Sequence, residues 1–263
     1  MGTVEFLRGM GRHRKLALAG TGCVVVLAAL AWLGRPRDDP VRATLEEAVR
    51  SFRDERDAAG QGGGPYEPAL GVYRYRTRGS ESVESLVLDT SHDYDGVSTI
   101  VLSRGHCGER ERWQVLEGRW TEVEACPTGE GVAPVRVSEF HEFFGVGQED
   151  RLACHSSPVS PRPGGRFSSV CRAKDFSVST VTRVAGFQRV GVGGRPYEAV
   201  HLASRSRVRG ANTGTASRDE WRRRSDYLLL RRTEHSEADS GRGGGTHYSE
   251  RYTIELLSTR PQR

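Results

Sequence analysis

The chain holds residue types that do chemistry, but their spacing suits few reactions. "SHDYD", Ser91–Asp95, carries a serine, a histidine and two aspartates. A nucleophile, base and orienter converge on one point from separate elements, which adjacent residues do not do, so this stretch reads as a polar loop. Glu109, Glu111, Glu122 and Glu124 surround Trp113 and Trp120 and offer the paired carboxylates that glycoside hydrolysis uses. Arginines alternate with them, a pattern that reads as a solvated sheet face. No Gly-x-Ser-x-Gly elbow, His-Glu-x-x-His helix or Gly-x-x-x-x-Gly-Lys phosphate loop occurs, and "GVGG", Gly191–Gly194, reads as a turn. The expectation is no catalytic residue, no metal and no cofactor.

Cysteines are the remaining reactive groups. Cys107, Cys126, Cys154 and Cys171 lack the close Cys-x-x-Cys spacing that zinc wants. His106 and His155 each adjoin a cysteine, and strand neighbours point to opposite faces. An even set of this kind reads as disulfides in an oxidising compartment. A hairpin looping at Val115–Gly118 would set Trp113 opposite Trp120 and Cys107 opposite Cys126, which gives the pairing Cys107–Cys126 and Cys154–Cys171. That register also opposes Glu109 to Glu124 and Glu111 to Glu122, which repel. A shift by one residue pairs Arg110 with Glu124 and Arg112 with Glu122, so a β-bulge is expected between the cysteines and the glutamates. Among the aromatics, Tyr73, Tyr75, Trp113, Trp120 and Trp221 are the candidates for a ligand surface.

The elements that position these residues begin with "LALAGTGCVVVLAALAWLG", Leu16–Gly34, which is free of charge. As a helix it spans about 28 Å, close to the roughly 30 Å hydrocarbon thickness of a bilayer. Arg8, Arg12, Arg14 and Lys15 precede it and mixed signs follow, so the N-terminus stays inside. "AWLGRPRDD" lacks an Ala-x-Ala cleavage site and "GTGC" lacks the leucine of a lipidation signal. The segment therefore reads as an uncleaved signal anchor, with Cys23 inside it. The expected layout is a cytoplasmic tail over 1–15, a transmembrane helix over 16–34, and a juxtamembrane amphipathic helix with a Gly-rich linker over 35–64. A β-rich domain fills 65–260.

Charge narrows the partners. Beyond residue 34 the chain holds 35 basic and 33 acidic side chains, without the concentrated positive excess that a nucleic-acid binder needs. Hydrophobic residues make up 36%, below the usual ~45–50%, which suits a lean, strand-rich core. "VRATLEEAVRSFRDERDAA" places Val41, Leu45, Val49 and Phe52 at helical spacing, the pattern of a helix docked on its own domain or, alternatively, lying on the lipid surface or against a partner. "GVYRYRTRG", "VSTIVLSR", "RPYEAVHLASRSRV", "DYLLLRRTEHSE" and "THYSERYTIELLS" read as strands. In the last of these Tyr248, Tyr252, Ile254 and Leu256 face inward.

"YRYRTRGSE", "CGERERW" running to "EAC", and "YSERYTIELLS" resemble stretches of uncharacterised membrane-anchored envelope proteins of GC-rich Gram-positive bacteria. The meandering strands look more loosely like the lipoprotein-carrier superfamily. The resemblance implies a mainly β fold: one antiparallel β-meander forming a curved sheet or open half-barrel, held by two disulfides. It also implies a single-pass protein of the cell membrane with its C-terminal domain outside. The expected function is non-catalytic binding of an apolar or lipid ligand; a docking module for another membrane or envelope protein is the alternative, and an envelope hydrolase the third reading.

Overall fold

The computed structural model describes residues 40–56, 68–85, 89–128, 131–157, 162–240 and 245–263 of the 263-residue chain. The apolar segment at 16–34 lies outside the described residues, as do Cys23, the basic tail and the Gly-rich linker. Among the described residues no helix is long and apolar enough to cross a membrane. The chain divides into two units, Met1–Asp39 and Pro40–Arg263, and all the described residues belong to the second.

Helix α1, Leu45–Arg56, opens on a capping box. The Glu47 amide donates to Thr44 Oγ1, and Thr44 donates its amide to the Glu47 carboxylate. Thirteen strands are described after it: β1 (Gly71–Glu84), β2 (Asp89–Asp93), β3 (Gly96–Arg104), β4 (Glu109–Leu116), β5 (Arg119–Thr128), β6 (Gly131–Phe143), β7 (Val146–Ser156), β8 (Arg166–Arg172), β9 (Phe176–Val192), β10 (Arg195–Gly210), β11 (Asn212–Arg223), β12 (Leu229–Ser240) and β13 (Thr246–Leu256). Alternation builds them. In β1, Tyr73, Tyr75 and Thr77 are buried while Arg74, Arg76 and Arg78 are exposed. Leu45, Ala48, Val49 and Phe52 of α1 pack on Val72 and Val101, so the helix covers the outer face of β1 and β3.

The sheet is a meander in which sequential strands are neighbours, and β13 returns to pair with β1 from Tyr75↔Leu256 to Glu84↔His247. β2 and β3 share one edge of β1 in one continuous register. They are interrupted at Tyr94 and Asp95, where the Tyr94 amide donates to Gly79 O and the Gly79 amide donates to Asp95 Oδ1. Gly79 is required here: its φ is +139°, and a Cβ would meet Arg251 O at 2.1 Å. With β2 and β3 counted as one staved position, twelve strands close into a barrel. The open half-barrel or curved sheet expected from sequence is therefore corrected. An open sheet leaves two unpaired edges; here those edges meet each other.

The cysteine hairpin also departs from its expected register. Trp113 stands opposite Thr121, Arg110 opposite Glu124 and Arg112 opposite Glu122. The ladder thus takes the charge-complementary register throughout, and its shift lies between Gln114 and Leu116 rather than near the cysteines. Cys107 leaves the ladder in a turn closed by the Gly105 amide on Gly108 O, and this turn lets it reach Cys126, 5.2 Å away at Cα. Cys154 and Cys171 oppose each other directly in the β7–β8 ladder and form the second bridge.

The apolar core fills one side of the barrel interior with Tyr73, Tyr75, Ile100, Leu102, Trp113, Tyr252, Ile254 and Leu256, joined by Leu228 to Leu230 and by Val192 and Ala199. Replacing Cys107 and Cys126 with serine should lower the unfolding free energy by about 2–5 kcal/mol, read by urea denaturation. An unchanged midpoint would mean that the hairpin needs no staple.

Candidate functional site

Three of the five candidate ligand aromatics are core residues. Tyr73, Tyr75 and Trp113 are fully buried and their polar atoms are satisfied: Tyr73 donates to Ala69 O, Tyr75 to Leu229 O and Trp113 Nε1 to Ser98 Oγ. Trp120 and Trp221 are half-buried, and Trp221 packs against the same core cluster. Trp120 stacks on Phe140 under Arg112; Trp221 stacks on His201 at 4.5 Å with Arg231 over its ring. Four of the five therefore meet in one packed core, and only Trp120 stands apart from it.

What does converge is charge, inside the barrel. Glu111 on β4 and Glu220 on β11 are each bridged by both Arg222 and Arg232, at 2.6–3.0 Å. The result is a closed ring of two carboxylates and two guanidiniums that ties β4 across the interior to β11 and β12. Burial raises both carboxyls, but Arg222 and Arg232 outweigh it and hold them below the ordinary range. Beside the ring, Arg218 forks onto Glu234 at 2.8 and 2.9 Å, and Tyr252 donates to the same carboxylate.

A second cluster lies one rung further along. Glu81 and Glu250 oppose each other on β1 and β13, a like-charge pair that only a counterion makes tolerable. Arg119, from β5, supplies it with a bidentate contact to Glu250 at 2.9 and 3.0 Å and an approach of 3.8 Å to Glu81. His92 and His141 lie 3.1 and 3.3 Å from the two oxygens of Glu81, Tyr248 donates to Glu81, and Tyr94 donates to Glu250. Burial pushes Glu81 up, yet the hydrogen bonds with His141 and His92 and the charge of Arg119 bring it down to about 2. For Glu250 burial prevails over Arg119, and its carboxyl is raised. "SHDYD" is thus no loose loop: His92 lies on a strand and stacks on Phe143, and Tyr94 is in the core.

The wall facing this cluster is different. One rung of directly opposed inward positions runs from Glu81 through Glu250, Ser236, Ala216, Ser206, Thr180 and Ser169 to Ser156. Beyond Glu250 its side chains are small, mostly hydroxyls, and half-buried rather than buried. In the next rung Thr182 and Ser204 lie 2.9 Å apart, beside Arg218, whose side chain is 32% exposed. Small side chains on a wall turned inward leave room, and their exposure shows that solvent reaches it. Among the described residues no group of His, Cys, Asp and Glu is arranged to hold a metal ion.

No family model matches the chain, and no curated protein matches it. Among solved structures, the hypothetical lipoprotein YmcC from Escherichia coli (K12) is similar with a TM-score of 0.34 and 12% identity, over 70% of this chain and 86% of that one. A likeness of that size carries no functional argument. The resemblance to envelope proteins of GC-rich Gram-positive bacteria has no support in these comparisons.

The charge clusters make stability acid-sensitive. Glu81, Glu111, Glu220 and Glu234 have folded pKa values below their unfolded ones. Their contribution is therefore present above about pH 4.3 and is lost as pH falls through the folded values. The raised Glu250 acts oppositely, contributing below its ordinary pKa and losing that contribution as pH rises. Glu81, brought down to about 2, sets the window, so urea unfolding should show stability dropping from pH 5 toward pH 2; a flat profile would contradict these pairings. Arg119→Met, which strands Glu81 and Glu250 without a counterion, should cost about 3–5 kcal/mol at neutral pH, measured in the same way.

Proposed function

We propose that this protein is a membrane-tethered, extracytoplasmic binding barrel without a catalytic role, which takes a small, neutral, hydroxyl-bearing ligand against the β8–β12 wall of its interior. The observation that carries the reading is the rung of small hydroxylated residues, Ser236 to Ser156, facing a saturated charge cluster. Hydroxyls accept and donate at once, which suits a polyol or sugar-sized partner. The arginines of the two interior clusters are already bound to carboxylates, so an anionic ligand would have to displace one of them, and the opposed acids Glu139 and Asp150 would repel it.

Two features support the compartment. Paired disulfides persist in oxidising environments, and the 19-residue uncharged segment at 16–34 has the length and flanking charge of a signal anchor. The apolar or lipid ligand expected from sequence finds less room. The large apolar side chains that would line its site, Tyr73, Tyr75 and Trp113, pack on one another. The non-catalytic reading is supported by the saturation of the buried acids: Glu81, Glu111, Glu220 and Glu250 each spend their oxygens on arginine, histidine or tyrosine. None is left to move a proton to a substrate.

Native mass spectrometry of the full chain, purified in mild detergent, tests the reading. A small polar adduct that is lost in Ser206→Trp, a substitution that fills the wall, is the expected result. Co-purifying lipid retained by the variant would contradict it.

A further inference from the structure

The outer surface of β8, β9 and β10 is a field of arginines with no acidic counterpart. Outward positions alternate with the inward rungs and place Arg166 and Arg172 on β8, Arg183 on β9, and Arg205, Arg207 and Arg209 on β10, all exposed. The outward positions among them are serine, valine and alanine. Asp175 lies in the turn at the rim, and Asp219 on the flanking strand is held by His201 at 2.7 Å. Among the described residues none of these six arginines is in an ion pair. Arg166 and Arg183 stand directly opposite each other, a like-charge pairing that costs stability and has no compensation in the fold.

A second, smaller arginine stripe runs along β1. Arg74, Arg76 and Arg78 of β1 are exposed in the same alternating way, but Arg76 faces Glu255 across the ladder. The surplus on β8–β10 is the larger, six arginines with no acid opposite any of them in the ladders. Among the six arginines the exposed large apolar side chain is Val181, at 37%, and the exposed aromatic of β9, Phe187, lies beyond the bulge under Arg224. Protein partners are held by apolar and aromatic hot spots, so a partner here is recognised by charge. Arg205, Arg207 and Arg209 are spaced about 6.8 Å apart along one strand, and neighbouring strands are about 4.8 Å apart. An extended chain of anions crossing the wall meets several guanidiniums in succession. Phosphate fits the opposed pair Arg166 and Arg183 better than a planar carboxylate, because its oxygens point to more than one guanidinium. A bilayer is the other dense source of phosphate. The six guanidiniums, however, lie on the convex outside of a closed sheet, which an extended chain can follow along and across the strands and a flat plane of headgroups cannot.

We propose that the outer wall of β8–β10 binds a linear phosphate-bearing polyanion. This rests on the outer face alone and is independent of the ligand inside the barrel. The test is binding of long-chain inorganic polyphosphate to the full chain in neutral detergent across a salt series. Arg205→Ser/Arg207→Ser/Arg209→Ser should weaken binding about tenfold or more and reduce the slope of log K against log salt by about two to three. Arg74→Ser/Arg76→Ser/Arg78→Ser should stay within about twofold, since binding does not use that face. Should the first triple variant fold poorly, Arg207→Glu alone should still weaken binding several-fold while circular dichroism stays unchanged. The proposal is overturned by any of three results: no polyphosphate binding at low salt, equal losses from the two triple variants, or preference for polyglutamate or phosphatidylglycerol vesicles over polyphosphate.

Discussion

The interior of this protein exists because its first strand pairs with its last. The ladder between β1 and β13 joins residues some 170 positions apart in sequence, and it brings Glu81 beside Glu250 and Thr77 beside Ile254. Closure removes both sheet edges at once and turns one face of every strand into a shared inside. The chords across that inside then become available. Trp113 from β4 stacks on Tyr252 from β13 at 4.4 Å, and Arg119 from β5 reaches Glu250. Neither contact is open to a flat meander.

Burying several arginine–glutamate pairs is expensive, because desolvation offsets most of the Coulombic gain. Their use here is specificity. In a ladder with period two, a slip of one residue turns every inward side chain outward. The ring of Glu111, Glu220, Arg222 and Arg232 would then be broken, leaving charges from three strands unpaired. The arrangement therefore penalises wrong registers more than it stabilises the right one. It also divides the interior into an apolar half, under β1, β3, β4 and β13, and a half lined by small hydroxylated side chains.

Much of this was legible along each strand and little of it between strands. The alternation in "YRYRTRG" and "THYSERYTIELLS" marks which residues turn inward, and the cysteine pairing is legible too, although Cys107 reaches Cys126 through a turn and not through the hairpin register. The same alternation places Glu81 in phase with Tyr73 and Tyr75, and Glu250 in phase with Tyr248 and Tyr252. An acid in phase with a buried aromatic stripe is the signal that would have pointed to the charge cluster. What one strand cannot show is its partner: the carboxylate of Glu81 is acceptable only because Arg119, His92 and His141 arrive from other strands. The Trp113–Trp120 register is not adopted because the hairpin favours opposing Arg110 to Glu124 and Arg112 to Glu122 over pairing the two indoles.

Inside and outside thus hold charge in different ways, balanced within the barrel and in surplus on the β8–β10 wall, and both depend on the sheet being closed. Closure is tested most directly by a double variant, Arg78→Cys/Thr253→Cys, which places thiols at opposed outward positions of β1 and β13. Under mild oxidation, peptide mapping should find these two cysteines linked to each other in nearly every molecule. Two free thiols, labelled as fast as exposed cysteines elsewhere, would mean that the first and last strands are apart and that the barrel is open.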